Sequence, residues 1–180
     1  MTADHQSGPA QIELHRFDEQ SMPGERRLPL VIYRGALTLA GDDPGEACEA
    51  LFARNGWGGA WQNGVYPYHH FHATTHEVLG IVRGAAEVRF GGEGGALIEL
   101  RASDVVVIPA GLSHKNEGAS PDLLVVGAYP GEREPDIRKG LPAEHRQVGD
   151  SLRRVPAPEA DPVFGRGGPL LRHWSASAGG

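Results

Sequence analysis

The sequence predicts an all-β protein, built as an antiparallel sandwich or barrel. Short apolar segments of strand length, rich in Val, Ile and Leu, recur between residues 58 and 129. Turns that contain glycine, such as Asn63-Gly64 and Gly91 to Gly95, separate these segments. No helical pattern interrupts them, and regularly spaced strands without intervening helices are typical of antiparallel sandwiches and barrels.

The N-terminal residues are predicted to form an arm, a strand and one short helix. Residues 1–28 are polar and contain prolines, which favours an extended arm, and the β-branched residues between Leu28 and Leu39 favour a strand. Asp43 is a suitable N-cap, Pro44 suits the first helical position, and Asn55-Gly56 is a plausible end. This helix carries the lone cysteine, Cys48, on its predicted buried face, where we interpret it as core packing.

The rest of the chain is predicted to contain five strands and an extension. The strands run from Glu77 to Arg83, Ala86 to Phe90, Leu97 to Arg101, Val105 to Ile108 and Leu123 to Tyr129. After Tyr129 the chain is rich in Pro, Gly and charge. It still carries buried-type residues such as Phe164 and Trp174, so we expect it to pack on the strands or on a neighbouring subunit.

Composition excludes several classes of partner. The 180 residues are 39% hydrophobic and 22% charged, which suits one well-filled core with additional arms. The net charge is -6 and the Lys and Arg residues are scattered, so we expect no nucleic-acid partner. The longest apolar runs are too short to span a bilayer, and no apolar signal-peptide core follows Met1. We therefore expect a cytoplasmic protein with no membrane partner.

A cluster of histidines is the strongest chemical feature of the sequence. It consists of His69, His70, His72 and His76, with Glu77 directly after them and His114 beyond a Pro-x-Gly turn. His70 and His72 stand two positions apart, which puts both side chains on one face of a strand. Imidazole and carboxylate groups are ligands that suit Fe, Mn, Ni, Cu and Zn. The pattern therefore predicts a metal site.

The spacing of these residues resembles the cupin superfamily. Gly64-x5-His70-x-His72-x4-Glu77-x6-Gly84 resembles the first cupin motif without departure, and Pro109-x-Gly111-x2-His114 resembles the second. The wider pattern, which includes Asp161-Pro-Val-Phe-Gly, is similar to the YjlB-like branch of the cupins. Ser103 and Gly118 stand where the second motif usually has glycine and asparagine, which affects the expected turn geometry more than the metal site.

The resemblance implies a fold, a cofactor and an assembly. The fold would be a double-stranded β-helix, the cupin jelly-roll barrel, over residues 29–130, followed by a C-terminal extension over residues 131–180. One divalent transition metal ion per chain, Fe, Mn, Ni or Zn, would be bound by His70, His72, Glu77 and His114. Such a ligand set leaves coordination positions for water, O2 or substrate. A homodimer is expected because it would cover open barrel edges and the apolar tail.

His76 and Glu77 compete for the carboxylate position of this ligand set. An uninterrupted strand from residue 72 to residue 77 would put His76 on the face of His72. A turn or bulge at Ala73 to Thr75 would reset the register and put Glu77 there instead, and the cupin motif favours this arrangement. We expect His76 to be a proton carrier beside the metal, since its ordinary pKa lies near neutrality. Glu77 and His76 are therefore the predicted catalytic residues.

Two classes of function are compatible with these features. We favour an enzyme that acts on a small-molecule substrate at the metal, with oxygen-dependent oxidation preferred to Lewis-acid isomerase or lyase chemistry. The alternative is a non-catalytic cupin that binds a metabolite. Candidate substrate contacts are Arg83, Arg101, Trp57, Trp61, Tyr66, Tyr68 and Phe71. Charged residues of strands lie more often on the solvent face, and aromatic residues more often in the core.

Overall fold

The computed structural model describes residues 11–140 and 142–176, and these ranges contain nine strands and four helices. The strands are β1 Gln11–His15, β2 Leu30–Arg34, β3 Trp57–Asn63, β4 Glu77–Arg83, β5 Ala85–Phe90, β6 Ala96–Arg101, β7 Val105–Ile108, β8 His114–Ala119 and β9 Leu124–Pro130. The helices are α1 Pro44–Arg54, α2 Pro142–Gln147, α3 Gly149–Arg153 and α4 Pro169–Ala176. Strands form the body of the molecule, which confirms the predicted fold class.

The strands form two antiparallel sheets. The large sheet has the order β1-β2-β7-β4-β9-β3, and the small sheet has the order β6-β5-β8. β4 lies inside the large sheet, paired with β7 on one side and β9 on the other. Glu77 begins β4 and His114 begins β8, so each sheet carries one of the predicted metal ligands at a strand end.

The main hydrophobic core lies between the two sheets. Leu79 and Ile81 of β4 pack there with Val88 and Phe90 of β5, and all four are buried. Alternate residues of each strand face the partner sheet, as the two-residue period of a strand requires. This face-to-face arrangement of two antiparallel sheets is the jelly-roll architecture that the cupin resemblance implied.

A second hydrophobic cluster covers the outer face of the large sheet. Helix α1 contributes Cys48 and Phe52, which contact this face of the sheet. The helix begins as predicted, because the Asp43 side chain accepts a hydrogen bond from the backbone N–H of Glu46 at 3.1 Å. Gly80 of β4 gives α1 its close approach, since a Cβ at this position would lie 2.8 Å from Cys48 Sγ. Burial raises the pKa of the Cys48 thiol to about 12, in keeping with a packing role.

The described part of the C-terminal extension packs on the large sheet of its own chain. The buried Asp161 carboxylate accepts hydrogen bonds from the Tyr33 hydroxyl and from the backbone N–H groups of Val163 and Leu170. The Trp57 indole N–H donates to the Ala160 carbonyl at 2.9 Å. These contacts hold a segment with little regular structure against the sheet.

Several elements differ from the sequence expectations. The described part of the predicted arm contains β1, which pairs with β2, whereas residues 1–10 lie outside the described ranges. Strands β3 and β8 and helices α2, α3 and α4 were not predicted. Ser103, which replaces the usual motif glycine, adopts a left-handed φ of 78°, so the turn before β7 is kept without glycine. No helix in the described ranges is long and apolar enough to cross a membrane.

Candidate metal centre

Three histidine side chains meet where the two sheets come together. His70 and His72 lie on the segment before β4, and His114 is the first residue of β8. One ring nitrogen from each residue lies within 4.8 Å of the other two, and all three side chains are buried. Backbone hydrogen bonds between His70 and His114, at 3.2 and 2.9 Å, hold the two segments side by side.

The Nδ1 atom of each of these histidines faces a backbone carbonyl. His70 Nδ1 lies 3.1 Å from the Tyr68 oxygen, His72 Nδ1 contacts the Asp136 oxygen, and His114 Nδ1 lies 3.4 Å from the Leu112 oxygen. A carbonyl oxygen only accepts hydrogen bonds, so each Nδ1 carries the ring proton. Each Nε2 is then left with a free lone pair, which is the form in which histidine binds a metal ion.

Glu77 completes the cluster with a carboxylate oxygen. Its Oε2 lies 3.2 Å from His72 Nε2 and 3.2 Å from His114 Nε2. A carboxylate oxygen and two imidazole nitrogens can lie this close when a proton or a metal cation lies between them. Donor atoms that share one ion at about 2.1 Å lie roughly 3 Å apart, so these spacings fit a common metal ion.

The protonation states of the cluster also suit a metal. Burial favours the neutral form of Glu77, but contacts with His114 and His72 outweigh it and hold the Glu77 pKa far below its usual range. Burial lowers the pKa of His70 to about 3. Burial opposes the charge on His72 as well, yet its contact with Glu77 raises the His72 pKa. Metal binding needs the deprotonated ring and would therefore compete with protonation of His72.

Tyr129 holds the other oxygen of Glu77. The Tyr129 hydroxyl lies 3.1 Å from Glu77 Oε1, and Trp61 Nε1 lies 2.8 Å from the Tyr129 hydroxyl oxygen. An indole N–H is only a donor, so the tyrosine oxygen accepts from Trp61 and its own proton points to Glu77. Burial raises the pKa of Tyr129, which keeps the hydroxyl protonated. One Glu77 oxygen is therefore held by the Tyr129 hydroxyl, and the other lies beside His72 and His114.

Asp136 fixes the turn that separates the histidines from Glu77. Its Oδ1 accepts hydrogen bonds from the backbone N–H groups of Ala73 at 2.8 Å and Thr74 at 3.1 Å. The Arg138 guanidinium holds its Oδ2 at 2.9 Å. Since the Asp136 carbonyl also contacts His72 Nδ1, one residue positions both a ligand ring and the bend that follows it.

The cluster forms part of the wall of a cavity of about 470 Å³. The other lining residues are Trp61, Gln62, Asn63, Gly64, Val65, Tyr66, Pro67, Leu79, Tyr129, Pro135 and Ile137. This volume is within the range of sites that bind small organic molecules. A cluster of ligating groups at the wall of such a cavity leaves room for a further ligand.

Comparison with known proteins gives one informative relative. The chain is 42% identical over 157 residues to the uncharacterized protein YjlB of Bacillus subtilis (strain 168). The match covers 87% of this chain and 92% of the relative. The chain belongs to the YjlB family. This relationship confirms the YjlB-like branch predicted from the motifs, and no protein-family profile matches the chain.

Solved structures similar to this YjlB-family protein are cupin-fold proteins. Acireductone dioxygenase from Bacillus anthracis, with a cadmium ion in its active centre, is 17% identical, with a TM-score of 0.37 over 69% of this chain and 80% of that chain. Oxalate decarboxylase from Lactobacillus farciminis is 14% identical, with a TM-score of 0.34 over 85% of this chain and 41% of that chain. These similarities are too low to assign an activity.

The structure brings together four of the five predicted site residues of this YjlB-family chain. His70, His72 and His114 form one cluster, and Glu77 joins it through its contacts with His72 and His114. His76 lies elsewhere: its Nδ1 accepts a hydrogen bond from the Ala110 N–H at 2.9 Å, and its ring centroid lies 4.6 Å from that of Trp174. This placement contradicts the predicted role of His76 as a proton carrier beside the metal. The bend after His72 puts consecutive residues 76 and 77 on opposite sides, so only Glu77 reaches the cluster.

Some of the predicted substrate contacts lie at the cavity and others lie elsewhere. Trp61 and Tyr66 line the cavity, and Tyr68 stacks on Tyr66 with ring centroids 5.0 Å apart. Trp57 and Phe71 are buried in other hydrophobic clusters. Arg83 and Arg101 are exposed and lie outside the cavity lining. The aromatic predictions therefore hold only near the histidine motif.

Sequence reasoning missed Tyr129 and Asp136. Tyr129 was predicted only as a strand end, and Asp136 lies in the Pro-rich segment that was interpreted as an extension. Both contact site residues more than fifty positions away in the chain, Tyr129 to Glu77 and Asp136 to His72. No local pattern marks such contacts, because the pairing of β9 with β4 and the path of the chain after β9 create them.

Proposed function

We propose that this protein binds one divalent transition metal ion through His70, His72, Glu77 and His114 and acts there on a small organic molecule. The observation that carries the proposal is the convergence of one ring nitrogen from each of three histidines, with the Glu77 carboxylate against two of them, in the wall of a cavity. Structural metal sites are closed, whereas sites that react keep a position open to another ligand. The cavity supplies the space for that ligand.

The metal, when bound, would supply Lewis acidity and, if it is iron, a redox couple. The residues of the chain have separate tasks. The backbone carbonyls orient the three imidazole rings, and Tyr129 orients the Glu77 carboxylate. The apolar part of the cavity lining keeps bulk water away from a bound molecule, which strengthens electrostatic interactions at the site.

The cavity favours oxygen-dependent oxidation over isomerase or lyase chemistry. Isomerisation and elimination require a positioned base that takes a proton from the substrate. Apart from the four ligands, the described lining residues include no histidine, carboxylate or lysine side chain. The Tyr129 hydroxyl has a raised pKa and already donates to Glu77. Oxidation at iron places the smallest demand on a separate base, so we propose an iron-dependent, oxygen-using oxidoreductase.

The first experiment is elemental analysis of the protein purified without oxygen. We expect about one equivalent of a single transition metal per chain in the parent and nearly none in His72→Ala, which removes a ligand. His69→Ala is the matched control, since His69 is the neighbouring histidine outside the cluster, with Nε2 3.1 Å from the Glu93 carboxylate. It should keep its metal.

The identity of the metal selects the next assay. Iron leads to measurement of O2 consumption with candidate substrates, whereas manganese, nickel or zinc leads to isomerase and lyase substrates. A parent protein that holds no metal, even after reconstitution with each of these ions, contradicts the proposal. The barrel would then be a metabolite-binding module without a metal.

The expected homodimer remains a prediction. In the described part of the chain, β1 and β6 are edge strands, with unpaired backbone groups on their outer sides. Each carries an exposed leucine, Leu14 and Leu97. Light scattering coupled to gel filtration tests the prediction, and the mass of a single chain would contradict it.

A further inference from the structure

We infer that the ligand of this cavity is a small organic molecule with an apolar, aromatic body and at most one negative charge, placed at its metal-binding end. The inference deepens the proposed function and rests on it, because the metal would supply positive charge to a cavity whose described lining has no cationic side chain. Three features of the cavity support it: its charge, the state of its polar side chains and the shape of its aromatic residues.

The described residues that line the cavity include no lysine and no arginine. The three cations of the described segment between β9 and α2 have other partners. Arg133 Nε donates to the Thr74 carbonyl at 3.2 Å, Arg138 pairs with Asp136 at 2.9 Å, and Lys139 Nζ lies 5.5 Å from the centre of the Tyr68 ring. A phosphate or a second carboxylate in the cavity would therefore have no partner, and an unpaired charge is strongly disfavoured there.

The metal site itself neutralises one negative charge. A divalent ion contributes two positive charges, and the Glu77 carboxylate removes one of them. His70, His72 and His114 are neutral when they bind a metal through Nε2. The loaded site thus has a net charge of +1, which one deprotonated hydroxyl, enol or carboxyl group balances.

Three polar side chains of the wall already have hydrogen-bond partners in the protein. The Tyr129 hydroxyl donates to Glu77, and Asn63 Oδ1 accepts from the Gly64 N–H at 2.8 Å. Gln62 turns to helix α1, where its amide donates to Glu49 at 3.1 Å. The rest of the wall is apolar or aromatic and includes Val65 and Leu79. A ligand with many hydroxyl groups, such as a sugar, would find few partners.

An aromatic surface leads from the solvent to the histidines. Tyr66 and Tyr68 stack with an interplanar angle of 16°, and the Tyr66 ring meets the His70 ring edge-on at 5.2 Å. Tyr66 and the lining residue Ile137 remain 48% and 50% exposed, which is high for large hydrophobic side chains. Exposed apolar groups at the mouth of a cavity indicate a ligand that covers them, and flat rings pack well on aromatic faces.

The test compares three metal-binding probes that share one hydroxamate group. Acetohydroxamate carries only a methyl group, benzohydroxamate adds a phenyl ring, and phosphonoacetohydroxamate adds a second negative group beside the hydroxamate. Calorimetric titration of the zinc-loaded protein gives each affinity without relying on turnover. We expect benzohydroxamate to bind about tenfold more tightly than acetohydroxamate, because the ring buries apolar surface, and phosphonoacetohydroxamate to bind more weakly than both.

Two exposed positions provide matched variants for this test. Ile137→Ser should remove most of the preference for the phenyl probe and leave acetohydroxamate binding unchanged. Leu97→Ser alters a leucine of similar exposure, 48%, on β6 outside the cavity and should change neither affinity. Both sites are exposed, so the folded state tolerates the substitutions.

The outcomes separate the two proposals. Equal affinity for the methyl and phenyl probes, or tightest binding of the phosphonate probe, overturns the inferred ligand class and leaves the metal site intact. Zinc retained in the protein with no binding of any hydroxamate overturns the proposed function itself, because the metal then has no open position. The phenyl preference together with its loss in Ile137→Ser supports the inference.

Discussion

Glu77 receives interactions at both of its oxygens, and these interactions decide how firmly the proposed ligand set is held. Oε2 faces His72 and His114, while Oε1 accepts the hydrogen bond from Tyr129. Trp61 fixes the direction of the Tyr129 proton from the other side. Hydrogen bonds that orient metal ligands commonly contribute tenfold or more to metal affinity.

Replacement of Tyr129 tests this support directly. Tyr129→Phe keeps the ring and removes only the hydroxyl, so Glu77 Oε1 loses its donor while the fold is kept. We expect metal affinity to fall about tenfold to a hundredfold, measured by competition with a chromophoric chelator. Tyr68→Phe removes a hydroxyl from an exposed ring that does not contact Glu77 and should leave affinity unchanged. An unchanged affinity in Tyr129→Phe would contradict the assigned role.

The sequence predicted the four side chains that the structure brings together, but not the residues that support them. His70, His72 and Glu77 are close in the sequence, and the local backbone, an extended segment followed by a bend, brings them together without contacts from distant residues. His76 was misplaced because its adjacency to Glu77 suggested proximity, whereas consecutive extended residues point to opposite sides. The roles of Tyr129 and Asp136 depend on strand pairing and chain path, which no short motif records.

At the scale of elements, the turn between β6 and β7 contains avoidable strain. Ser103 occupies a left-handed conformation with φ of 78°, which costs a residue with a Cβ about 1 kcal/mol or more. Its backbone N–H donates to the Ile81 carbonyl at 2.8 Å, and its carbonyl accepts from Leu37, so the conformation is fixed by neighbouring segments. The turn therefore needs the shape that glycine adopts freely.

We expect Ser103→Gly to stabilise the protein. Relief of the left-handed strain outweighs the greater freedom of glycine in the unfolded chain, for a net gain of about 0.5–1 kcal/mol in the free energy of unfolding. Ser103→Ala is the control, because it removes the hydroxyl and keeps the Cβ. Chemical denaturation of the three proteins measures the difference, and a gain in Ser103→Ala equal to that in Ser103→Gly would assign the effect to the hydroxyl instead.

The contact between β3 and β9 links packing to the metal centre. Trp61 of β3 lies over Gly127 of β9, and a Cβ on Gly127 would come within 2.2 Å of the indole ring. Gly127→Ala should displace Trp61, lower the free energy of unfolding by about 1–3 kcal/mol and weaken metal binding through Tyr129. Gly94→Ala, where an added Cβ meets nothing within 4 Å, is the control for both measurements. A destabilised Gly127→Ala with parental metal affinity would separate Trp61 from the site.

Helices and strands that have a characteristic local sequence were predicted well. Strands that form only because they pair with another strand were not. Helix α1 has its N-cap and its end in its own sequence, and the apolar β4 and β7 match their predicted bounds. Strand β3 contains two glycines, and β8 is polar along most of its length, so neither has the composition of a strand. Backbone pairing with β9 and β5 defines them.

At the scale of the whole molecule, the two sides of the segment that leads into β4 contact different parts of the protein. Glu77 faces His72, His114 and the cavity, whereas His76 faces the C-terminal extension. There His76 accepts from the Ala110 N–H, interacts with the Pro156 backbone and packs on Trp174 of α4. Trp174 in turn donates to the Pro29 carbonyl at 2.9 Å. His76 thus joins the extension to the body of the fold in its neutral form.

The neutral state of His76 predicts how stability depends on pH. Burial, with smaller effects from Arg26 and Arg133, lowers the pKa of His76 to about 3, whereas an unfolded histidine has a pKa of about 6.5. Above pH 6.5 both states are neutral and the contribution of His76 is fully present. Between pH 6.5 and 3 the unfolded chain takes up a proton that the folded chain excludes, so stability falls as the pH is lowered, by up to about 1.4 kcal/mol per pH unit.

Denaturation of the metal-free protein between pH 7.5 and 4.5 tests this dependence. His76→Asn can keep the bond from Ala110 through its side-chain oxygen but has no group that titrates in this range. We expect it to be less stable than the parent at pH 7 and to lose less stability on acidification. Cys48→Ala is the control, because Cys48 lies in the hydrophobic cluster that contains Trp174. It should lower stability and keep the parental dependence of stability on pH. If His76→Asn kept that slope too, the acid sensitivity would arise elsewhere, with the buried His70 as the next candidate, since burial lowers its pKa as well.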